Sequence, residues 1–283
     1  MVYIEFNIIY KIILFSSLRK KWYNTINKII VIKQKKLEEV IMGKVAAFFD
    51  IDGTIYREGL ITEVFKKIIK YELVNENKWY RDVRPSYIKW DKRQGDYDTY
   101  LLKMVDIYTD AIKGINKYHI DYIAKRVIEQ KGDRVYTFSR ERIKWHKDQG
   151  HIVIAISGSP VELVREMSKK YKMDDYRGTI YKLGEDNTYN GDIIPMWDHE
   201  SKLNAITELK DKYDIDLDKS FAYGDTSGDF TMFKSVGNPY AINPTKELIG
   251  KVKEDNALMD KIKLIVERKD VTYNLDINTI DII

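Results

Sequence analysis

Phe48-Phe49-Asp50-Ile51-Asp52-Gly53-Thr54 places two carboxylates and a glycine after an apolar run that begins at Val45. A continuous apolar run of this length predicts a strand buried on both faces, as in a parallel sheet. Ligands of open α/β sheets bind at the carboxyl ends of the strands, where the two acids would lie. Because buried charges need a partner, the stretch favours nucleophilic and acid–base chemistry by the two carboxylates around Mg²⁺. The alternative for so short a pattern is a turn or a loose calcium loop.

The composition is that of a soluble protein with a sizeable core. Of the 283 residues, 44% are hydrophobic and 33% are charged. The chain has no cysteine, which excludes disulfides, thiolate metal sites and cysteine nucleophiles. The four histidines show no metal-ligand spacing, so we expect them to be structural or exposed. Residues 1–41 carry a net charge of +5, against +4 for the whole chain, and the near-neutral remainder does not indicate a nucleic-acid partner.

Residues 1–41 differ from the rest of the chain. They hold eight Lys/Arg and three Glu, and their apolar run at 8–15 is interrupted by Lys11. That run is far shorter than the ~20 residues that a membrane-spanning helix needs. Its basic cluster follows the apolar run, the reverse of the order in a secretory signal. We therefore expect a cytoplasmic protein in which residues 1–41 are a disordered or non-native extension; a basic amphipathic segment on an anionic membrane is the alternative.

The order of apolar and amphipathic segments predicts an α/β fold with a doubly wound parallel sheet. We assign residues 42–60 and 132–270 to this core and residues 271–283 to a C-terminal tail without a pattern. Residues 61–131 show helical spacing and many aromatic side chains, which predicts an all-helical module inserted after the first strand. Within the core, residues 245–268 are predicted to be mostly helical.

Polar loops follow three of the predicted strands. They are the acids at Asp50 and Asp52, the turn Ser157-Gly158-Ser159-Pro160, and the loop Gly224-Asp225-Thr226-Ser227-Gly228-Asp229. A parallel sheet brings such loops to one edge. The serine turn precedes a helix, whose N-terminus is a ready anion site. Locally, the pattern also predicts that Ser159 caps that helix, which leaves Ser157 free to point at a phosphate.

These motifs resemble those of the haloacid dehalogenase superfamily of phosphatases. The helical insertion resembles the cap of the branch that contains phosphoserine phosphatase. The resemblance spans residues 44 to about 255 and implies a Rossmannoid core with a helical cap. The four matching motifs, in the family's order, are Asp50-Ile51-Asp52-Gly53-Thr54, Ser157-Gly158-Ser159, Lys202, and Gly224-Asp225-Thr226-Ser227-Gly228-Asp229.

The resemblance implies a mechanism. Asp50 would attack phosphorus and become an aspartyl-phosphate, and Asp52 would protonate the leaving alcohol and then activate water. Mg²⁺ would be held by Asp50, the backbone carbonyl of Asp52, Asp225 and Asp229. The resemblance thus assigns the cofactor and the catalytic acids together.

The resemblance also implies how the phosphoryl group is bound. Ser157, the Gly158 N–H and Lys202 would contact its oxygens, where negative charge must be stabilised in the transition state. Asp52 argues against cleavage of a carbon–halogen bond, which requires no general acid. The expected substrate class is therefore a small phosphorylated metabolite.

The identity of that metabolite is left open by the sequence. Phosphoserine phosphatases read the substrate amine with a glutamate shortly after the first motif, but here Glu58 stands one position early, which weakens phosphoserine as the substrate. Arg57, Arg81 and Arg84 are further candidates for reading a carboxylate or a second phosphate. Alternatively, rings such as those of Trp79, Tyr80 and Trp90 could hold a quaternary amine such as phosphocholine.

Three other functions are compatible with the pattern. A phosphotransferase would pass the same aspartyl-phosphate to another acceptor, and a non-catalytic binding protein would retain the fold alone. The presence of both Asp50 and Asp52 argues against a mere binding protein, which has no need for two acids at such a site. A membrane-surface scaffold would act through residues 1–41. The sequence gives no indication of the oligomeric state.

Overall fold

The computed structural model describes residues 43–95 and 97–281, and for residues 97 and 98 it describes the backbone alone. The predictions for residues 1–41, including membrane contact, lie outside the described residues. Across the two described ranges, no helix is both long and apolar enough to cross a membrane.

The described residues form one eight-stranded sheet with the strand order β4-β3-β2-β1-β5-β6-β7-β8. The strands are β1 Ala46–Phe49, β2 Ile152–Pro160, β3 Asp175–Leu183, β4 Tyr189–Ile194, β5 Phe221–Gly224, β6 Asn238–Ile242, β7 Lys263–Arg268 and β8 Val271–Leu275. The six inner strands run parallel to one another, and the edge strands β4 and β8 are antiparallel to them. This confirms the predicted α/β sheet and adds an antiparallel strand at each edge.

Helices cover both faces of the sheet and form the insertion between β1 and β2. They are α1 Leu60–Lys70, α2 Arg84–Asp91, α3 Tyr97–Ile112, α4 Lys117–Lys131, α5 Thr137–Asp148, α6 Val161–Lys170, α7 His199–Tyr213, α8 Phe230–Ser235, α9 Lys246–Lys253 and α10 Asn256–Met259. Shorter turns are the π-helix Lys78–Val83 and the 3₁₀ helices Ser227–Asp229 and Ile277–Thr279. The helices α1 to α4 account for most of the predicted insertion.

The inserted helices pack onto the sheet through a shared apolar cluster. Phe65 of α1 and Tyr108 of α3 are fully buried, together with Phe49 of β1. The ring of Tyr108 lies 5.1 Å from that of Tyr181 in β3. The insertion therefore shares its core with the sheet, and the division into core and cap at residues 60 and 131 remains a proposal.

The prediction of helix across residues 245–268 is wrong in its last quarter. Residues 263–268 form β7, which pairs with β6, and residues 271–275 of the predicted featureless tail form β8. A short buried strand and a buried helical turn cannot be distinguished by periodicity. The alternation of apolar and polar residues in Val271-Thr272-Tyr273-Asn274-Leu275 was a usable strand signal, although all five residues of this edge strand are exposed.

Candidate active site

The turn after β1 is shaped by a glycine. Gly53 has φ of +78°, and its N–H donates to the carbonyl of Tyr56 at 2.8 Å. A Cβ added at Gly53 would lie 1.9 Å from Oδ2 of Asp225. Only glycine therefore lets the Asp225 carboxylate approach the turn that carries Asp50 and Asp52.

The loop after β5 is built around a buried carboxylate. Oδ2 of Asp229 accepts hydrogen bonds from the backbone N–H of Asp225 at 3.0 Å and of Thr226 at 3.1 Å. The hydroxyl of Thr54 donates to Oδ1 of Asp225 at 3.0 Å. The two predicted metal carboxylates are thus held in fixed positions by this loop and by the first motif.

Lys202 is brought to these acids by the first turn of α7. The side chain of Asp198 caps that helix by accepting from the N–H of Ser201 at 2.8 Å. Nζ of Lys202 lies 3.0 Å from Oδ1 of Asp50 and 2.5 Å from Oδ1 of Asp229, and the lysine is almost fully buried. The lysine therefore forms ion pairs with two of the three clustered acids.

Asp52 is held apart from that cluster. Its Oδ1 accepts from the N–H of Leu60, the first residue of α1, at 2.9 Å, and its Oδ2 accepts from the hydroxyl of Ser159 at 2.5 Å. These two bonds fix the carboxyl group while Asp50 is engaged with Lys202. The two acids of the first motif therefore have different partners, as two different chemical roles require.

Ser159 does not cap the following helix, contrary to the sequence prediction. Strand β2 continues through Pro160, which is the N-cap residue of α6, and this helix has no side-chain cap. Ser159 is therefore still in extended backbone, and its hydroxyl is used by Asp52, a residue 107 positions away. Its neighbour Ser157 is buried, and Oγ of Ser157 accepts from the N–H of Ser159 at 3.3 Å.

A cavity of about 290 Å³ lies at this edge of the sheet; we call it the catalytic cavity. Five residues with predicted catalytic or phosphate-binding roles line it, and we call them the catalytic group: Asp50, Asp52, Ser157, Gly158 and Lys202. The structure thus brings five of the seven predicted chemistry-bearing residues to one cavity. Of the other two, Asp229 pairs with Lys202, and Asp225 is bonded to Thr54 and Asp229.

Burial and the repulsion of neighbouring carboxylates raise the pKa values of Asp50 and Asp225. Burial raises the pKa of Asp50 to about 8, opposed by Lys202 and reinforced by Asp229. Burial, reinforced by Asp229 and Asp50, also raises the pKa of Asp225 well above its ordinary value. Burial lowers the pKa of Lys202, but Asp229 and Asp50 outweigh it, so the lysine remains charged. Such a cluster favours the binding of an additional cation.

Asp52 differs from the cluster in its pKa. Burial raises the pKa of Asp52 to about 6, and the hydrogen bonds from Ser159 and Leu60 oppose the increase. A carboxyl group with this pKa exchanges protons close to neutral pH, as a general acid and base requires.

The cluster fits a hard divalent cation. Asp50, Asp225 and Asp229 are buried, and one carboxylate oxygen from each lies within 4.8 Å of the others. Carboxylate oxygens are the ligands that Mg²⁺ prefers. The carboxylate of Asp52 is engaged elsewhere, so only its backbone carbonyl remains available for the predicted coordination.

Arg57 and Glu58, predicted to read the substrate, line a different cavity. Nε of Arg57 donates to the carbonyl of Val135 at 3.0 Å, and its guanidinium pairs with Glu267 at 3.2 Å. Glu58 pairs with Arg134 at 2.6 Å. Both residues line a second cavity of about 800 Å³, which also reaches Gly53 and Asp225.

The remaining specificity candidates lie on the insertion. Arg81 and Arg84 are exposed, and neither is among the described residues that line these two cavities. The guanidinium of Arg84 lies 5.8 Å from the ring centre of Tyr80. Of the three candidate rings for a quaternary amine, Trp90 lines the second cavity, and Nζ of Lys66 lies 4.8 Å from the ring centre of Trp79. The structure does not gather these groups around the catalytic cavity.

Sequence reasoning missed two parts of the catalytic cavity. One is the segment Trp197-Asp198-His199, and a Cβ added at Gly158 would lie 2.9 Å from Cβ of Trp197. Its position directly before the helix of Lys202 was a usable signal. The other is a set of aliphatic side chains from α1 and α3, whose helical spacing is the same whether they fill a core or line a cavity.

The fold is a mainly parallel α/β sheet, and its candidate nucleophile follows the first strand. The chain belongs to the haloacid dehalogenase-like hydrolases, because the model of that family matches residues 47–234. This confirms the family named from the four motifs. The expectation of an enzyme of the phosphatase type is also confirmed by its relatives.

Two curated relatives and one solved structure illustrate the likeness. The inhibition of morphological differentiation protein of Streptomyces azureus is 26% identical over 216 residues, which are 76% of this chain and 77% of that protein. A protein of Mycobacterium tuberculosis described as a probable phosphatase is 24% identical over 207 residues, 73% of this chain and 71% of its own. A phosphoserine phosphatase carrying a phospho-aspartyl intermediate analogue matches with a TM-score of 0.53 at 19% identity, covering 81% of this chain and 95% of that chain. This last likeness shows a shared fold.

Proposed function

We propose that the protein is a Mg²⁺-dependent phosphomonoester hydrolase that acts on a small phosphorylated metabolite through an aspartyl-phosphate at Asp50. One observation carries the proposal. Asp50 and Asp52 line the same cavity as Ser157 and Lys202, yet the two acids have separate hydrogen-bond partners. One acid can therefore act as nucleophile while the other transfers protons.

In the first step, a carboxylate oxygen of Asp50 attacks phosphorus. The bond from phosphorus to the ester oxygen breaks, and Asp52 donates its proton to the departing alkoxide, which leaves as the alcohol. The bonds from Leu60 and Ser159 keep the carboxyl of Asp52 in one orientation during this transfer. Asp50 then carries the phosphoryl group.

In the second step, Asp52 takes a proton from a water molecule as that water attacks the phosphoryl group. The bond between phosphorus and the Asp50 oxygen breaks, inorganic phosphate leaves, and both acids regain their starting state. Throughout, Lys202, Ser157 and the N–H of Gly158 stabilise the negative charge on the phosphoryl oxygens.

Asp50, Asp225 and Asp229 would hold Mg²⁺ with the backbone carbonyl of Asp52. When bound there, the metal supplies positive charge that lowers the repulsion between an anionic nucleophile and an anionic phosphate. The three carboxylates, the single lysine and the close approach that Gly53 permits support this assignment.

Phosphate release from a panel of phosphomonoesters tests the proposal. The panel is assayed with Mg²⁺ and with EDTA, using the wild type, Asp50→Asn and the exposed control Asp211→Asn. We expect metal-dependent release that falls at least about 10³-fold in Asp50→Asn and is unchanged in the control. Substantial release by folded Asp50→Asn would overturn the mechanism. Turnover that requires an added acceptor alcohol would instead assign a phosphotransferase.

A further inference from the structure

The part of the catalytic cavity that helices α1 and α3 line has a uniform chemistry. It is formed by Ile61 of α1 and by Leu101, Leu102 and Val105 of α3. We call these four residues the aliphatic wall. Aliphatic side chains offer neither a hydrogen bond nor a charge, so any charged group pressed against them loses its hydration without replacement.

The charged residues that could compensate for this loss are engaged elsewhere. Arg57 and Glu58 form ion pairs and line the second cavity. Arg81 and Arg84 are exposed and do not belong to the described residues that line the catalytic cavity. The groups expected to bind the amine and carboxylate of an amino-acid phosphate are therefore not at this site.

Asp198 adds an electrostatic argument. Among the described residues that line the catalytic cavity, it is the one charged side chain outside the catalytic group. Its Oδ1 already accepts from the N–H of Ser201, and its charge is stabilised by the positive end of the helix dipole of α7. A carboxylate in the leaving group would meet this negative charge, and Lys202 is already paired with two acids.

We propose that this site selects phosphomonoesters whose leaving group is uncharged and predominantly apolar, and that Leu101, Leu102 and Val105 determine this specificity. The inference rests on the proposed phosphomonoesterase function. Burial of an alkyl or aryl group against the wall contributes roughly 25 cal/mol per Å² of apolar surface, whereas a charged group loses hydration there. The cavity volume of about 290 Å³ is at the lower end of ligand sites, which favours a short alkyl chain or a single ring.

A matched pair of substrates tests the wild-type enzyme. n-Propyl phosphate and phosphoethanolamine have the same chain length. The chain ends in a methyl group in the first compound and in an ammonium group in the second. O-Phosphoserine adds a carboxylate to the second compound. We expect kcat/KM for n-propyl phosphate to exceed that for both charged substrates at least 10-fold, in assays that contain Mg²⁺.

A variant of the wall tests the assigned residues. Leu102 is 51% exposed, so the charge in Leu102→Glu is tolerated by the folded protein. We expect this variant to lose at least 10-fold in kcat/KM for n-propyl phosphate and to shift its preference towards phosphoethanolamine. Ile194→Glu, at a 47% exposed aliphatic residue of β4 outside the wall, is the control and should keep the wild-type preference.

The outcomes separate this proposal from the function on which it rests. If the wild type has the same kcat/KM for phosphoethanolamine and for n-propyl phosphate, the specificity proposal fails and the phosphatase function stands. Loss of the phosphoethanolamine activity in Asp198→Asn would then assign Asp198 as the residue that binds the ammonium group. An unchanged preference in Leu102→Glu overturns the role of the wall. If the wild type releases phosphate from none of the panel, the proposed function itself fails.

Discussion

Two groups of buried and partly buried polar side chains flank the end of β1, and they differ in how their charges are balanced. The first, the carboxylate cluster, consists of Asp50, Asp225, Asp229 and Lys202. The second, the histidine network, consists of Arg142, His146, His151 and Tyr223. Phe49 separates them, with its ring stacked on that of Tyr223 at 4.2 Å while Asp50 follows it in the chain.

The histidine network is internally satisfied. The Tyr223 hydroxyl accepts from Nε of Arg142 at 2.8 Å and lies 2.9 Å from Nε2 of His146, whose Nδ1 lies 2.9 Å from Nδ1 of His151. Burial, with Arg142 and His151, lowers the pKa of His146 to about 3, so this ring is neutral at pH 7. The carboxylate cluster instead brings three acids to one lysine beside a cavity.

The comparison shows that burial alone does not mark a functional site. Burial shifts a pKa in both groups. It raises the pKa of Asp50 and lowers that of His146, and both shifts favour the neutral form of the side chain. The two groups differ in two features: an excess of like charge and access to a cavity. Of the two groups, only the carboxylate cluster has both. Variants of the cluster should therefore impair activity, and variants of the network should impair stability.

The largest expected effect on activity in this comparison comes from Lys202→Met. We expect kcat/KM to fall by about 10³-fold, or about 4 kcal/mol, because the lysine contributes charge stabilisation at the phosphoryl site. Its removal also leaves three buried acids unopposed, so the Tm should fall in EDTA and recover when Mg²⁺ is added. Steady-state kinetics and thermal melts measure the two effects. Lys210→Met, on the exposed side of α7, should change neither quantity. If the Tm of Lys202→Met is the same with and without Mg²⁺, the metal assignment is contradicted.

The next effect concerns the histidine network and is one of stability. The folded pKa of His146 is about 3, below its ordinary value of 6.5, so the unfolded chain takes up the proton first as the pH falls. The stability from neutral His146 is complete above about pH 6.5 and decreases by about 3 kcal/mol at pH 4. In His146→Gln, this part of the pH dependence should disappear. Urea unfolding at pH 7 and pH 4 measures this effect. The difference in free energy of unfolding between wild type and variant should be about 3 kcal/mol smaller at pH 4 than at pH 7.

Activity provides the control for that prediction. His146→Gln should retain kcat/KM at pH 7, because the ring contacts Tyr223 and His151 and none of the clustered acids. An equal pH slope of stability in the two proteins would show that His146 is not the responsible group.

Gly53→Ala should have the next largest effect. Its comparison with Gly114→Ala separates the effect of the close approach to Asp225 from that of backbone strain. Gly53 and Gly114 have φ of +78° and +80°, so alanine is strained at both, by roughly 1–2 kcal/mol. A Cβ at Gly53 collides with the Asp225 carboxylate, whereas a Cβ at Gly114 has no neighbour within 4 Å among the described atoms. Gly53→Ala should lose about 10²-fold in kcat/KM, about 2.7 kcal/mol. Gly114→Ala should lose stability alone, and equal kinetic losses in both would refute the role of the close approach.

The sequence predicts much of the carboxylate cluster and little of the histidine network. Asp50, Asp225 and Asp229 follow apolar strands, and the ends of parallel strands meet at one edge, so their proximity could be inferred from order and periodicity. His146 carries no such signal, because its partner Tyr223 lies on a strand 77 positions away, and His151 joins the network through His146. Cross-sheet contacts between side chains depend on register, which the pattern does not supply.

Other parts of the site escaped prediction for physical reasons. The predicted cap at Ser159 depends on neighbouring residues alone, whereas the actual acceptor of its hydroxyl, Asp52, lies in the turn after β1. The sequence places Arg57 and Glu58 beside the first motif, but the turn directs them to Glu267 and Arg134. Leu101 and its neighbours on α3 look like core residues, since the spacing of a helix does not reveal whether its apolar face meets protein or an open cavity.

The smallest expected effect tests how Asp52 is positioned. Ser159→Ala removes the 2.5 Å hydrogen bond to Asp52 but leaves the bond from the N–H of Leu60. We expect kcat to fall about 10-fold with little change in KM, since one hydrogen bond to a charged group contributes about 1.5–3 kcal/mol and the second bond retains part of the orientation. Ser159→Thr should restore most of the rate. Ser168→Ala is the matched control, because Ser168 is also buried and its hydroxyl has no hydrogen-bond partner among the described residues. Equal losses of kcat in the two alanine variants, or a change confined to KM in Ser159→Ala, would show that the serine supports the fold and does not position the acid.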